Sequence, residues 1–128
     1  VTFTSAEQIS KGITMKVHYL EIVTPDVESA CKAYELAQNA KFGAPDEMLG
    51  GARTCELSDG SIVGVRAPLR ENETPVVRPY WLVDDIEKAV LTVKEQGAEI
   101  AVPPLEIPNK GKFAIYILGS IEHGFWQL

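Results

Sequence analysis

The sequence predicts an α+β fold built from two β-α-β-β-β units. Three observations lead to this prediction. A stretch of about 55–60 residues occurs twice along the chain. Each copy contains a short β-rich run, an amphipathic helical pattern and three further strand candidates. The length of 128 residues suits a single domain, so the two copies must pack on each other.

Composition and charge exclude several classes of protein. Hydrophobic residues make up 45% and charged residues 23%, which is ordinary for a globular domain and unlike a disordered chain. The net charge is −6 and no Lys/Arg cluster exists, so we expect no nucleic-acid partner. No apolar run approaches the roughly 18 residues of a membrane span. Cys31 and Cys55 lie in unrelated contexts, so we expect reduced thiols and a cytoplasmic protein.

The repeat is carried by three matches in nearly one register. Residues 25–30 (PDVESA) match 84–89 (DDIEKA) at an offset of 59, and residues 60–62 match 119–121 (both GSI) at the same offset. Residues 38–42 (QNAKF) match 96–100 (QGAEI) at an offset of 58. Any one match is weak, but the common register favours two copies, at about 15–67 and 76–128.

The first copy begins with a strand over residues 16–23 and an N-cap at Asp26. Helical spacing follows, with apolar residues at i, i+3, i+4 and i+7, and three strands are then predicted. The helix positions are Val27, Ala30, Cys31 and Tyr34, and the strands cover 47–49, 52–57 and 61–67, with a turn at 58–60.

The second copy repeats this order after a polar, proline-bounded linker at 68–75. A strand at 77–83 leads to an N-cap at Asp85 and to a helix that ends at Gly97. The apolar helix positions are Ile86, Ala89, Val90 and Val93, and the strands cover 99–102, 112–118 and 121–128, with a turn at 109–111.

Residues 1–14 lie outside the repeat and form an N-terminal arm, with a capping box at residues 5–8. The arm is either a native extension or a vector-derived segment that precedes a natural start at Met15. Residues 15–128 form the predicted single domain.

The doubled unit, with VDDI at 83–86, QGAEI at 96–100 and GFW at 124–126, resembles the vicinal oxygen chelate superfamily. That superfamily includes glyoxalase I, bleomycin-resistance proteins and extradiol dioxygenases. The resemblance implies a cupped mixed or antiparallel sheet around a cavity, with helices on the outer face and a small molecule as ligand. It also implies a homodimer, which would cover the open sheet edges.

Alternation along the two leading strands selects the side chains that face the cavity. Leu20 and Ile22 suit the apolar helix side, so Tyr19 and Glu21 point inward. The same register in the second copy turns Arg78 and Tyr80 inward. A buried guanidinium needs a carboxylate, and Glu21 and Glu122 are the nearest candidates for Arg78. The pair either sets the register or binds a charged ligand.

Metal-dependent members of the superfamily present two His, Glu or Gln ligands from each unit. The resemblance makes His18, Glu122 and His123 the candidate ligands for a divalent metal. Two alignments compete, because anchoring on Asp26 places Tyr19 rather than His18 at the ligand position. Only one of Glu122 and His123 can face inward. Arg78 lies where such a relative holds a second histidine, so the ligand set is incomplete.

Two functions follow from the resemblance, and they share a small molecule in the cavity. The first is a glyoxalase-like lyase or isomerase acting on a small oxygenated substrate, with Glu21 or Glu122 as the catalytic proton-transfer group. The second is a metal-free sequestering protein of the bleomycin-resistance type. Under this second hypothesis the ligand-binding residues are Tyr19, Arg78, Tyr80 and Trp126. A third hypothesis is that the protein's own side chains fill the cavity.

Overall fold

A computed structural model describes residues 15–128. The predictions for the arm at 1–14, including its capping box, lie outside the described residues. Within these residues, seven strands and two α-helices follow one another as β1 Val17–Val23, α1 Val27–Gln38, β2 Arg53–Glu56, β3 Ile62–Arg66, β4 Val76–Leu82, α2 Ile86–Glu95, β5 Glu99–Ile107, β6 Gly111–Leu118 and β7 Ile121–Gln127. With 12 and 10 residues, these helices of the described region are too short to cross a membrane.

The strands form one mixed sheet in the order β2-β3-β1-β4-β7-β6-β5. Each leading strand lies parallel to the last strand of its own unit, β1 beside β3 and β4 beside β7. The two leading strands pair antiparallel, with Tyr19 opposite Tyr80 and Glu21 opposite Arg78. Apart from the additional edge strand β5, the strand order is therefore symmetric about the β1–β4 junction. The predicted α+β fold is confirmed.

One predicted strand is wrong. Residues Glu47–Leu49 form a short 3-10 helix instead, because the Asp46 side chain accepts a hydrogen bond from the Met48 amide at 3.0 Å. Gly50 and Gly51 follow with φ of 69° and 82° and turn the chain back, so that only an Asp46–Ala52 bridge remains of the strand. Its counterpart in the second unit is the nine-residue β5.

The two helices begin differently. Asp85 caps α2 as predicted, and its carboxylate accepts from the Lys88 amide at 3.1 Å. Asp26 precedes α1 but makes no capping bond, so that prediction is only half right. Its own amide donates to Thr24 Oγ1 at 3.1 Å, which shapes the turn out of β1.

The helices cover one face of the sheet. The predicted apolar positions of α1 pack with Ile22, Phe42 and Val65, and those of α2 pack with Tyr116 and Phe125. The opposite face carries a third cluster, built on Tyr19, Tyr80 and Trp126. Period-two alternation along β1 and β4 thus divides a helix-covered face from an aromatic, concave one.

Two glycines make room for the central tyrosines. Gly64 lies opposite Glu21 on β3, and Gly124 lies opposite Tyr80 on β7. A Cβ at position 64 would lie 1.8 Å from the Tyr19 hydroxyl oxygen, and one at position 124 would lie 2.3 Å from Tyr80 Cδ2. Neither distance is sterically allowed, so each tyrosine ring rests directly on glycine backbone.

Gly64→Ala and Gly124→Ala should each lower the free energy of unfolding by about 1–3 kcal/mol, because the buried rings cannot move aside without strain. Gly43→Ala is the matched control, since its nearest neighbour would be the Thr54 carbonyl oxygen at 3.9 Å. That variant should stay within about 1 kcal/mol of wild type. Urea denaturation measures all three, and equal effects at positions 43, 64 and 124 would contradict the packing described.

Candidate functional site

A cavity of about 520 Å³ opens on the sheet face opposite the helices. Residues from both units line it, including residues 48–50 at the end of the 3-10 helix and residues of strands β5, β6 and β7. One side is aromatic and aliphatic, and the other carries six charged side chains. The aromatic residues are Tyr19, Tyr80, Phe113 and Trp126, and the charged residues are Glu21, Arg66, Glu73 and Arg78, together with the exposed Arg70 and Glu122.

Trp126 stands at the centre of the aromatic side. Its ring centroid lies 5.3 Å from that of Tyr19 and 5.8 Å from that of Tyr80, the latter at 88°. The indole N–H donates to the Lys110 carbonyl at 3.0 Å, which fixes the ring and leaves no polar atom on it for a ligand. Trp126 can therefore contribute only apolar and stacking contacts to a ligand.

Glu21 organises the charged side of the cavity. Its carboxylate accepts from Arg66 Nε at 2.7 Å and from the Tyr80 hydroxyl at 2.8 Å, and it also binds Arg78 Nη1. Glu21, Arg66 and Arg78 are each at most 7% exposed. Removing any one partner from such a buried network leaves a charge without compensation, and this costs several kcal/mol.

Two outer carboxylates complete the network in different ways. Glu73 uses both oxygens on Arg66, at 3.0 and 2.8 Å, and also accepts from the Leu69 amide at 2.6 Å. Glu122 uses a single oxygen, which accepts from Arg78 Nε at 2.8 Å and Nη2 at 2.6 Å. The side chain of Glu73 is 13% exposed, whereas that of Glu122 is 44% exposed.

The cavity shifts the pKa values of Glu73, Tyr19 and Tyr80. Hydrogen bonds from Arg66 lower the pKa of Glu73 from 4.5 to about 2, against the opposing effect of burial. Burial, and then the charge of Glu21, raises the pKa of both Tyr19 and Tyr80 well above the usual phenol value. Both phenols are therefore neutral hydrogen-bond donors. The Tyr19 hydroxyl is buried and has no hydrogen-bond partner within residues 15–128.

Six of the residues singled out in the sequence line this cavity. They are Tyr19, Glu21, Arg78, Tyr80, Glu122 and Trp126. The expected partners of Arg78 are both present, since it binds Glu21 and Glu122.

The two histidines that the resemblance made metal candidates, His18 and His123, lie outside the lining of this cavity. His123 stacks on Tyr116 at 4.9 Å, on the side of the sheet that carries Trp81, because alternation turns it away from Glu122. His18 is buried at a bulge in β1, where the register slips, with its ring 5.6 Å from that of Trp126 and outside the cavity lining. Burial lowers the pKa of His18.

The remaining donors do not fit a divalent metal. No group of three or more His, Cys, Asp or Glu side chains within the described part of the chain is placed to hold one. The carboxylates of the cavity are bound to Arg66 and Arg78, whose positive charges oppose a second cation.

Sequence reasoning missed Arg66 and Glu73. Strand alternation could have located Arg66, because it follows Gly64 by two residues on β3 and so shares the inward face. Glu73 lies in the linker, where no periodicity shows which way a side chain points.

Several solved structures share this fold over most of the chain, at low sequence identity. Hypothetical protein BH1468 from Bacillus halodurans C-125 has a TM-score of 0.72 at 16% identity, over 91% of this chain and 96% of that one. Methylmalonyl-CoA epimerase of Streptomyces coelicolor, in complex with 2-nitronate-propionyl-CoA, has a TM-score of 0.65 at 10% identity, over 90% and 98%. The epimerase of Mycobacterium tuberculosis has a TM-score of 0.66 at 13% identity, over 87% and 86%.

These neighbours are vicinal oxygen chelate proteins. The chain has the vicinal oxygen chelate fold. No family model matches the chain, and no curated protein matches it in sequence. At these identities the vicinal oxygen chelate assignment concerns the fold, so the chemistry of the cavity must be argued from its own residues.

Stability should fall at acid pH through Glu73. Its folded-state pKa of about 2 lies below the ordinary 4.5, so its contribution is complete above pH 4.5 and is lost as the pH falls towards 2. Between pH 6 and about 2.5, wild type should lose about 2–3 kcal/mol more unfolding free energy than Glu73→Gln. Glu71→Gln, at an exposed neighbour, should follow wild type in urea titrations. Parallel losses in wild type and Glu73→Gln would contradict the ion pair.

Proposed function

We propose that the protein binds a small molecule in the cavity between the two halves of the sheet, without a metal. The observation that carries this proposal is the division of the cavity into an aromatic side around Trp126 and a charged side around Arg78. A ligand with an apolar body and one polar group would satisfy both sides. The volume of about 520 Å³ lies in the range of small-molecule sites.

Two features favour a ligand over a cavity filled by the protein itself. The aromatic side chains are held in place by contacts with each other and with glycine backbone, so they cannot collapse into the open space. The buried Tyr19 hydroxyl lacks a partner within residues 15–128, and such a group normally marks a site for water or ligand.

An isomerase or lyase is the second candidate, and one observation supports it. Glu122 Oε2 makes no hydrogen bond within the described residues, whereas the Glu21 carboxylate is fully engaged. Among the cavity carboxylates of the described residues, only Glu122 therefore offers a free oxygen that could take a proton from a bound substrate. The epimerases that share the fold act on a CoA thioester, and a thioester substrate for this chain would belong to this second candidate.

The expected homodimer and cytoplasmic location stay predictions. Within residues 15–128 the two sheet edges are β2 and β5, and β5 contains Pro103 and Pro104, which hinder pairing of a further strand. Any dimer contact would therefore be made more easily by side chains than by continuing the sheet at β5.

Binding should be visible in the fluorescence of Trp126. Trp81→Phe leaves Trp126 as the only tryptophan of the chain, and the neutral aromatic probe phenylacetamide should change its emission saturably, with a Kd in the millimolar range. Ala101→Phe, at an exposed position that lines the cavity, should weaken binding at least about tenfold by occupying the space.

Val77→Phe is the matched control, since it adds the same ring at a 60% exposed site on the helix-side face of β4. It should bind the probe as the Trp81→Phe background does. Unsaturable quenching, or equal weakening by the two phenylalanines, would count against the cavity as the binding site.

Metal ions should not stabilise the protein. A divalent ion held at 100 times its Kd would add about 2.7 kcal/mol, a shift of several degrees in a domain of this size. We expect Ni²⁺, Zn²⁺ and Mn²⁺ to move the melting temperature of chelator-treated protein by less than about 2 °C. Stoichiometric binding by calorimetry, lost on Glu122→Gln, would instead place a metal in the cavity and overturn the metal-free proposal.

A further inference from the structure

The outer edge of Arg78 is the one place in the charged network where a partner can be exchanged. The edge formed by Nε and Nη2 binds a single oxygen of Glu122, although a guanidinium edge can hold two oxygens at once. The other nitrogen, Nη1, is bound to the buried Glu21. Arg78 itself is fixed and only 7% exposed, so its outer edge is a preformed anion site at the cavity wall.

The three carboxylates of the network differ in how firmly they are held. Glu21 has three donors and Glu73 has three, and both side chains are at most 13% exposed. Glu122 has two donors, both from Arg78 and both on one oxygen; its other oxygen has no donor within the described residues, and its side chain is 44% exposed. It can therefore leave Arg78 and regain water at low cost, whereas the other two cannot.

We propose that Glu122 is an internal stand-in for the ligand, and that the site takes a monocarboxylate with an aromatic body. This inference rests on the proposed binding function. The ligand carboxylate replaces that of Glu122 on the Nε and Nη2 edge of Arg78, Glu122 turns towards solvent, and the aromatic body lies against Trp126 and Phe113.

Charge balance limits the ligand to one negative charge. Arg66 and Arg78 face three carboxylates in this network, and once Glu122 leaves, two guanidiniums face two carboxylates. A monocarboxylate restores the original balance, whereas a phosphate dianion adds charge beside Glu21 in a poorly solvated site. The remaining cationic residue of the lining, Arg70, is exposed and screened by water.

The apolar half of the ligand provides the gain that drives the exchange. Replacing one carboxylate by another on Arg78 is nearly neutral, so a ligand without apolar surface would not displace Glu122. Burying an aromatic ring against the side chains around Trp126 adds hydrophobic and stacking stabilisation that Glu122 cannot provide. Glu122 would thus discriminate against small, purely polar anions such as acetate.

The test compares phenylacetate with its neutral analogue phenylacetamide, in the Trp81→Phe background, by Trp126 fluorescence. Glu122→Gln should tighten phenylacetate binding by about three- to tenfold, because the Arg78 edge no longer has to be vacated. Binding of phenylacetamide should change by less than about twofold, since it does not need a second anion site. Acetate, which has no aromatic body, should not bind the Trp81→Phe background detectably.

Glu73→Gln controls for the loss of one negative charge in the same cavity. It removes a carboxylate from Arg66 rather than from Arg78, so phenylacetate binding should not tighten. If Glu73→Gln fails to fold, the salt dependence replaces it, because a general charge effect in Glu122→Gln would disappear in high salt whereas relief from a competing partner would persist.

The outcomes separate the two levels of the proposal. Equal binding of both probes, unaffected by Glu122→Gln, would overturn the carboxylate exchange and leave the binding function standing. Equal tightening by Glu73→Gln and Glu122→Gln would also overturn it. Failure of both probes to bind the background protein would overturn the binding function, and the inference with it.

Discussion

The carboxylate of Glu21 is the interaction on which the two halves of the molecule depend. It lies at the β1–β4 junction, opposite Arg78 in register, and binds guanidiniums from β3 and β4 together with the Tyr80 hydroxyl. One anion thus joins three strands from both units across the cavity floor. The arrangement is stable only when complete, because each buried charge compensates another. It therefore specifies the register of the junction even where its net contribution to stability is small.

The two tyrosines beside this network have a second requirement. Tyr19 and Tyr80 face each other across the junction, and each needs a glycine on the flanking strand to lie flat over the sheet. With the rings held in this way, Trp126 closes the cluster and the cavity acquires its aromatic side. The division of the cavity into an aromatic and a charged side thus depends on four residues around the β1–β4 pair, which are Tyr19, Tyr80, Gly64 and Gly124.

Much of this arrangement follows from sequence because it obeys short-range periodicity. The repeat locates both leading strands, and alternation then turns Tyr19, Glu21, Arg78 and Tyr80 to one face. The features that escape prediction depend on geometry that has no period. The bulge at His18 shifts one residue out of the alternating pattern, and the path of the linker carries Glu73 to Arg66.

The strand prediction for residues 47–49 fails for a different reason, because local turn chemistry overrides the repeat pattern. A strand in this place completes the repeat, but Asp46 can cap a tight turn and two successive glycines can reverse the chain. The turn that results brings Leu49 over the aromatic cluster and Asp46 to within 3.1 Å of Lys110 in the second unit. The departure from the repeat therefore helps to close the cavity, and local turn chemistry here determines the shape of the site.

The position of Arg78 indicates how one fold can exchange one kind of recognition for another. A metal site gathers several anionic or neutral donors around a cation that is supplied from outside. In this chain the cation is a side chain, fixed at the cavity wall, and the carboxylates that surround it belong to the protein. Such a site does not bind a further cation, but one carboxylate on the arginine can be replaced by another. The site then selects its ligand by the apolar body that accompanies the charge, because the aromatic side of the cavity binds that body.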